Sequence, residues 1–225
     1  MDDTHLGESS WLLDDEEVLT LERIGSTLRR GDGHVFMREG EASDFLLLIK
    51  KGHVKVTTGQ PPRIVALRGP GETIGELGVI DDQPRSATVI AWGEVEALHV
   101  PANELRAFLD QNRRAERALH AAVRKRLGEA TRKISDSDLM MERRLAKAII
   151  ELYQNGLCEI IDSVPTIRLS QKDLASMTGA SIEATKKIIR VFKESGLVNT
   201  GRFQLRLTDA DALRKIADGN PTSSW

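Results

Sequence analysis

The sequence predicts an α+β fold in three parts: a β-rich domain over residues 1–110, a long helix with a hinge over residues 111–139, and a mainly helical domain over residues 140–225. Three observations lead to this prediction. Short apolar runs separated by glycine fill residues 28–100, which is typical of strands joined by tight turns. The segment that follows spaces its apolar residues as a helix does. Finally, residues 1–110 contain 11 Lys and Arg against 20 Asp and Glu, whereas residues 166–216 contain 10 against 5, so an acidic front precedes a basic back.

The composition excludes several classes of protein. With 40% hydrophobic and 29% charged residues among 225, the chain can form cores and a charged surface, unlike a disordered protein. No apolar run approaches the roughly 20 residues that span a bilayer, and the acidic start MDDTHLGESSWLLDDEE lacks the pattern of a secretory signal. We therefore expect a cytoplasmic protein without a membrane partner. The single cysteine, Cys158, excludes disulfides and an all-cysteine metal site, and the histidines at positions 5, 34, 53, 99 and 120 lack ligand spacing, so we expect no metal, haem or iron–sulfur cluster.

The β domain is expected to open with a short amphipathic helix in LDDEEVLTLERIG and to continue as strands. Its apolar runs are HVFMREG, FLLLIKKGHVKVTTG, RIVALRGPGE, TIGELGVI and RSATVIAWGEVEALHV. Strands of this length predict a compact all-β unit. Glycines stand where tight turns need a permissive backbone: Gly40, Gly52, Gly59, Gly69, Gly71 and Gly93.

A helical stretch begins at PANELRAFLDQ, and no obvious breaker interrupts it before Gly128 or beyond. On a helix so rich in charge, an apolar stripe must be buried, either against the β domain of its own chain or against a second copy in a coiled coil. Because this helix is long and joins two domains, we favour a dimer seam. The run SDSDL at residues 135–139 predicts a hinge, and helical spacing resumes in MMERRLAKAIIELYQ. The stripe consists of Leu119, Val123, Leu127, Ala130 and Ile134.

Two short segments of the β domain contain the groups that bind a phosphate diester. GELG at residues 75–78 is followed, ten residues after its first glycine, by RSATV at residues 85–89. A phosphate binds a guanidinium, backbone N–H groups and a hydroxyl. Arg85 and Ser86 provide the guanidinium and the hydroxyl, while Gly75 and Ala87 let the backbone approach. Glu76 is an acceptor and therefore suits a ribose hydroxyl.

These segments resemble the phosphate-binding cassette of cyclic-nucleotide-binding domains, in which a Gly-Glu-Leu turn precedes Pro-Arg-Ser/Ala-Ala-Thr; residues 70–89 match nearly throughout. The resemblance implies a β-roll domain and a cyclic nucleotide. The serine at position 86 resembles the cAMP-type cassette, whereas a threonine at this position is associated with cGMP. We therefore expect cAMP as the ligand, with cGMP as the alternative. A cupin-like domain that has lost its ligand, with Arg85 paired to an acidic neighbour, is the other interpretation. The resemblance implies that Gly75 and Glu76 bind the ribose and that Arg85, Ser86 and Ala87 bind the phosphate; Leu77, of the same turn, is also in the predicted ligand-binding set.

In bacterial members of that family a hydroxyl on the long helix contacts the adenine, and Thr131 is the candidate here. The alignment with the family shifts by one residue between its two ends, so Ala130 is the other occupant of this position. Thr131 can equally be an ordinary polar residue of the helix.

The C-terminal domain contains a helix-turn-helix pattern in LSQKDLASMTGASIEATKKIIRVF. Ser170 with Asp173 predicts a capping box, Gly179 lies in the short turn, and Ser181 caps the second helix, which we expect to anchor through Ile188, Ile189 and Phe192. Downstream, GLVNTGRFQLRLT predicts a two-stranded wing that carries Arg202 and Arg206.

Together, the cassette, long helix, helix-turn-helix and wing resemble the CRP/FNR family of transcription regulators over roughly residues 20–216. The resemblance implies a homodimer that binds palindromic double-stranded DNA and contacts RNA polymerase. Ile182 stands where the archetype has a base-reading arginine, so we do not expect the archetypal operator. Glu183 and Lys187 suit base edges, whereas Lys186, Arg190 and Arg202 suit phosphates. The full predicted DNA-binding set is Ser181, Ile182, Glu183, Lys186, Lys187, Arg190 and Arg202.

Two other classes of function are weighed against this one. The first is a regulator of the same fold that is ligand-independent or binds a different small molecule. The second is an enzyme, but the sequence contains no G-x-S-x-G, H-E-x-x-H or Walker motif that would supply catalytic residues. The prediction is therefore a cyclic-nucleotide-responsive regulator and not an enzyme.

Overall fold

The computed structural model describes residues 12–136 and 139–219 of the 225-residue chain. The chain divides into two compact units, one ending at Thr131 and the other beginning at Arg132. Each unit has a sheet of its own. Of the segment predicted as a hinge, Ser137 and Asp138 lie outside the described residues.

The strands of the first unit form one antiparallel sheet in the order β1-β6-β3-β4, with β2 pairing to β6 and β5 to β3. Two long strands, β3 and β6, form its centre, and their register shifts near Lys51, where both strands bend. Gly52 lies at this bend with φ +78°, and a Cβ there would collide with the Glu94 carbonyl oxygen. The bounds are β1 Ser26–Arg30, β2 Val35–Met37, β3 Phe45–Thr58, β4 Arg63–Arg68, β5 Thr73–Ile74 and β6 Thr88–Pro101.

The run FLLLI at the start of β3 is buried on both faces of the sheet. Leu46 and Leu48 belong to a core formed with the helices, whereas Leu47 and Ile49 belong to a second core inside the roll. Because side chains alternate across a strand, an uninterrupted apolar run is what a strand between two cores requires. This arrangement confirms the predicted β-rich domain.

Most of the run TIGELGVI is helical and not a strand, which corrects the prediction. Only Thr73 and Ile74 extend the sheet, and Gly75, with φ +86°, starts the short helix α2 (Glu76–Asp81). Among the six glycines predicted in turns, Gly69 alone does not have positive φ. The left-handed backbone at Gly75 explains the change of direction, since a glycine can adopt it without a Cβ clash.

Three more helices flank this sheet: α1 (Asp15–Ile24), α3 (Ala102–Gln111) and the long α4 (Arg113–Asp136). The predicted N-terminal helix is confirmed as α1, which begins with a capping box between Asp14 and Glu17. The prediction of an uninterrupted helix after Pro101 is wrong. The helical stretch breaks at Asn112, whose backbone leaves the helical region (φ −129°, ψ 78°) and whose side-chain amide donates to the Phe108 carbonyl at 2.8 Å.

The apolar stripe of α4 is divided between two faces of the helix. Leu119 is 1% exposed and packs in the core of its own β domain, so the prediction that it belongs to an intermolecular seam is wrong. Leu127 is 69% and Ile134 73% exposed. At 100° per residue, Leu127 lies about 80° around the helix from Leu119, which accounts for the difference.

The second unit contains helices around a small sheet whose strands pair in the order β7-β8-β10-β9. The predicted helix MMERRLAKAIIELYQ is confirmed as α5, whose Leu145 and Ile149 are fully buried. Within the described residues, no helix is both long and apolar enough to cross a membrane. The elements are α5 (Met141–Gln154), β7 (Glu159–Ile161), β8 (Val164–Ile167), α6 (Gln171–Thr178), α7 (Ile182–Glu194), β9 (Val198–Gly201), β10 (Gln204–Leu207) and α8 (Ala210–Asp218).

Candidate functional site

A cavity of about 130 Å³ opens between the strands β3, β4 and β6, the helix α2 and one face of α4. Both segments of the predicted cassette line this cavity, although their first residues, Gly75 and Arg85, are ten positions apart in the sequence. Its lining combines an apolar floor with charged groups at its edges. The lining residues are Met37, Val56, Ala66, Arg68, Ile74, Gly75, Glu76, Leu77, Gly78, Arg85, Ser86, Ala87, Val89 and Arg126.

Gly75 shapes the cavity in two ways. Its positive φ of +86° turns the chain from β5 into α2, a conformation that side chains with a Cβ rarely adopt. A Cβ at this position would also collide with Nη1 of Arg85 and lie 2.9 Å from Cε of Met37. Glycine is therefore required both for the turn and for the close approach of the arginine.

Arg85 is held rigidly, with only 5% of the residue exposed. Its Nη1 donates to the Gly75 carbonyl at 3.1 Å and its Nη2 to the Phe45 carbonyl at 2.7 Å. The guanidinium lies over the Phe45 ring at 4.5 Å, and Asp44 is 3.6 Å away. Burial lowers the pKa of Arg85, and the neighbouring Asp44, Glu76 and Glu41 oppose that shift. The result is a fixed cation beside the cavity.

Glu76 is 1% exposed and forms an ion pair with Arg126 through its Oε1. Arg126 also donates to the Thr73 carbonyl. The second carboxylate oxygen of Glu76, Oε2, is buried, and no donor reaches it within the described residues. A buried acceptor without a donor is costly, so Oε2 is suited to a hydroxyl from a ligand.

Arg126 was not predicted as a site residue, because its helix face can be assigned only once the structure places Leu119 in the core. Arg126 follows Leu119 by seven residues, which is close to two full turns of a helix. Because Leu119 is in the core of the β domain, residue 126 is expected on the same face.

A second ion pair lies at the β4 side of the cavity, where Arg68 is a lining residue and its partner Glu129 lies behind it, outside the lining. Nη2 of Arg68 donates to Oε2 of Glu129 at 2.8 Å, and Nε of Arg68 lies 3.6 Å from Oε1 of Glu72. The side chains of Arg68 and Glu129 are 12% and 27% exposed. Neither residue was a predicted site residue.

The cavity includes all the predicted ligand-binding residues of the two short segments, from Gly75 to Leu77 and from Arg85 to Ala87. Arg85 and Glu76 are buried, whereas Ser86 is exposed at the rim. Thr131 is not among the lining residues, and its hydroxyl donates to the Leu127 carbonyl at 3.0 Å. Its role as a base contact therefore stays a prediction.

In the second unit, α6 and α7 form the predicted helix pair. Ser170 and Asp173 form the capping box at α6, Gly179 has φ +65° in the turn, and the Ser181 hydroxyl accepts from the Ala184 N–H at 3.1 Å to start α7. Of the predicted anchors of α7, Ile189 and Phe192 are buried and Ile188 is half-buried. The local chemistry of caps and turn therefore confirms the predicted helix-turn-helix.

The outer face of α7 is exposed and mainly cationic. Arg190 also pairs with Glu194 at 3.2 Å. The predicted wing is confirmed as β9 and β10, and its tip carries Arg202 and the 66% exposed Phe203. Arg206, in contrast, contacts Asp162 at 3.2 Å within its own unit. The exposed residues of the predicted DNA-binding set are Ser181, Ile182, Glu183, Lys186, Lys187, Arg190 and Arg202.

Two family models match the chain. Residues 29–112 match the cyclic nucleotide-binding domain, and residues 143–216 match the Crp-like helix-turn-helix domain. The first range contains all the cavity-lining residues except Arg126, and the second contains the helix pair and the wing.

Known proteins are similar to this chain over most of its length. The cyclic AMP receptor protein of Thermus thermophilus is 27% identical over 83% of this chain and 86% of its own length. The CRP-like cAMP-activated global transcriptional regulator of Mycobacterium tuberculosis is 26% identical over 82% and 85%. Among solved structures, the c-di-GMP responsive global regulator CLP of Xanthomonas campestris has a similar fold, with a TM-score of 0.76 and 20% identity over 86% of this chain and 99% of that chain.

Proposed function

Because this chain belongs to the CRP/FNR family of transcription regulators, we propose that it is a homodimeric regulator whose affinity for DNA is controlled by cAMP. A DNA-binding function and a cyclic-nucleotide-binding domain come with the family. The identity of the nucleotide, the dimer, the palindromic operator, contact with RNA polymerase and a cytoplasmic location are the parts that we propose. The predicted domain boundaries at residues 110 and 139 also remain proposals.

The buried Oε2 of Glu76, next to the fixed cation of Arg85, is the observation that carries the nucleotide proposal. A ribose hydroxyl would supply the donor that this oxygen lacks. A guanidinium has five N–H donors, so Arg85 can keep its two carbonyl contacts and still bind a phosphate oxygen. Ser86 at the rim would add a hydroxyl, as in the cAMP-type cassette. A cyclic nucleotide contains both a ribose hydroxyl and a phosphate, so one ligand would supply a donor for Glu76 and an acceptor for Arg85.

The exposed cations of α7 and the wing support the DNA proposal. We assign Glu183 and Lys187 to base edges, because carboxylates accept from cytosine and lysines donate to guanine in the major groove. Lys186, Arg190 and Arg202 are assigned to phosphates, which position a protein on DNA without selecting a sequence. Ser181 and Ile182, at the start of α7, would enter the groove first.

Calorimetric titration with cAMP and cGMP tests the nucleotide proposal. We expect saturable binding of both, with cAMP tighter, and no comparable binding of 5′-AMP, which lacks the cyclic phosphate. The absence of heat with either cyclic nucleotide would contradict the proposal and favour the regulator with a different ligand. Since a structural neighbour responds to c-di-GMP, that dinucleotide is the next ligand to titrate.

The exposed face of α4 supports the homodimer. Leu127 is 69% exposed and Val123 is half-buried on the same side of the helix, so two apolar side chains share a face of a helix otherwise rich in charge. We expect Leu127→Glu to shift sedimentation equilibrium at micromolar concentration from twice 24.9 kDa toward 24.9 kDa, because two buried carboxylates would repel.

Leu19→Glu is the matched control for this variant, since Leu19 is a 54% exposed leucine of α1. It should remain dimeric. A wild-type chain that sediments at 24.9 kDa under these conditions would contradict the seam.

A further inference from the structure

We propose that Glu129, oriented by Arg68, binds the 6-amino group of the adenine base and so gives the cavity its preference for cAMP. This inference rests on the proposed nucleotide function and adds the residues that select the base. It is carried by the ion pair at the β4 side of the cavity and by the geometry of the three strands beneath it.

The strand register fixes where the base lies. Val89, Val56 and Ala66 stand in one row across β6, β3 and β4, and all three line the cavity. Two strand spacings make this row about 10 Å long. The phosphate-binding segment is at the β6 end, directly before Thr88. A nucleotide with its phosphate at Arg85 therefore extends its base along the apolar row toward β4.

Arg68 lies beside the Ala66 end of that row, displaced along β4 to the position opposite Val54. It follows Ala66 by two residues on β4, so both side chains are on the same face of the sheet. Its guanidinium reaches Glu129 on α4 at 2.8 Å. When the base lies over Ala66, its edge most distant from the ribose lies next to the ion pair of Arg68 and Glu129.

The charge around Arg68 favours a ligand that donates hydrogen bonds. One guanidinium faces two carboxylates, Glu72 and Glu129, so the group carries a net charge of −1. Glu129 uses Oε2 for Arg68, and an ionised carboxylate has several further acceptor sites. The 6-amino group of adenine is a donor, whereas the O6 of guanine is an acceptor and would face the negative group.

The hydroxyl of Thr131, the base contact that family resemblance implies, is bonded to the Leu127 carbonyl in this chain. Glu129 is on the helix face that carries Arg126, three residues apart and close to one turn. A carboxylate two positions earlier would thus take the place of a hydroxyl in contacting the base.

A double-mutant cycle between protein and ligand tests this assignment. The variants are wild type and Glu129→Ala, and the ligands are cAMP and purine riboside 3′,5′-cyclic monophosphate, which lacks only the 6-amino group. In wild type, we expect loss of the amino group to weaken binding about 10-fold or more, as for a hydrogen bond to a charged group. In Glu129→Ala, we expect the two ligands to bind equally. Glu116→Ala, an exposed glutamate of the same helix, should behave as wild type.

Each outcome of the cycle has a separate meaning. An equal loss for both ligands in Glu129→Ala would show that the residue only positions α4, and would overturn the inference while leaving the nucleotide proposal intact. If wild type binds no cyclic nucleotide, both proposals fail. A second variant, Glu129→Gln, should narrow the preference for cAMP over cGMP, because the amide can turn its NH₂ group toward O6; an unchanged ratio would also count against the assignment.

Discussion

Replacing Arg85 with alanine is expected to abolish tight nucleotide binding, with a loss between about 30-fold and several thousand-fold in affinity. Truncating one partner of a buried charge pair costs about 2–5 kcal/mol, and each 1.4 kcal/mol is tenfold. Arg85 is 5% exposed, so its phosphate contact would be made in a desolvated site. Calorimetry with cAMP on wild type and variant measures the effect.

Stability must be followed in the same samples, because Arg85 also donates to the carbonyls of Gly75 and Phe45. Losing these donors should lower the free energy of unfolding by about 1–3 kcal/mol, which thermal unfolding will report. Arg85→Lys keeps the charge but not the planar fork and should bind with intermediate affinity. Arg63→Ala, an exposed arginine of β4, is the matched control. Unchanged cAMP affinity in a folded Arg85→Ala protein would remove the cassette from the proposed mechanism.

The features that were predictable from the sequence are those that depend on neighbouring residues. The capping box of Ser170 and Asp173 and the turn at Gly179 were predicted because caps and left-handed turns select a few residue types within four positions. The cassette was predicted because a phosphate diester binds a guanidinium, a hydroxyl and backbone N–H groups, and two short segments contain all of them. The positive φ of Gly75 was not predicted, because the run TIGELGVI around it was assigned to a strand.

The features that were missed depend on contacts between distant segments. The ion pairs of Arg126 with Glu76 and of Glu129 with Arg68 join residues that are 50 and 61 positions apart, and charged helix residues give no sign of their partners. The break at Asn112 was missed because asparagine is compatible with a helix. Leu119 was assigned to the seam because the spacing of an apolar stripe does not distinguish two adjacent faces of one helix.

Coupling between nucleotide and DNA is the second large effect that we expect. A nucleotide can act as a switch only if it binds the DNA-competent arrangement more tightly than the other. Coupling free energies of 1–3 kcal/mol correspond to about 5- to 150-fold in affinity. By linkage, saturating DNA must tighten cAMP binding by the same factor that saturating cAMP tightens DNA binding. Arg85→Ala, which leaves the second unit unchanged, should bind DNA with an affinity that no longer responds to cAMP.

The most direct test of this account is a binding isotherm on a palindromic duplex selected from random sequence, recorded with and without saturating cAMP at one fixed salt concentration. The salt concentration must be fixed because affinity falls as salt rises: each phosphate contact adds about −0.9 to the slope of log K against the logarithm of the salt concentration. We predict that cAMP tightens binding at least about 5-fold in wild type and not in Arg85→Ala. Equal affinities with and without cAMP in wild type would contradict the central claim that this nucleotide controls DNA binding.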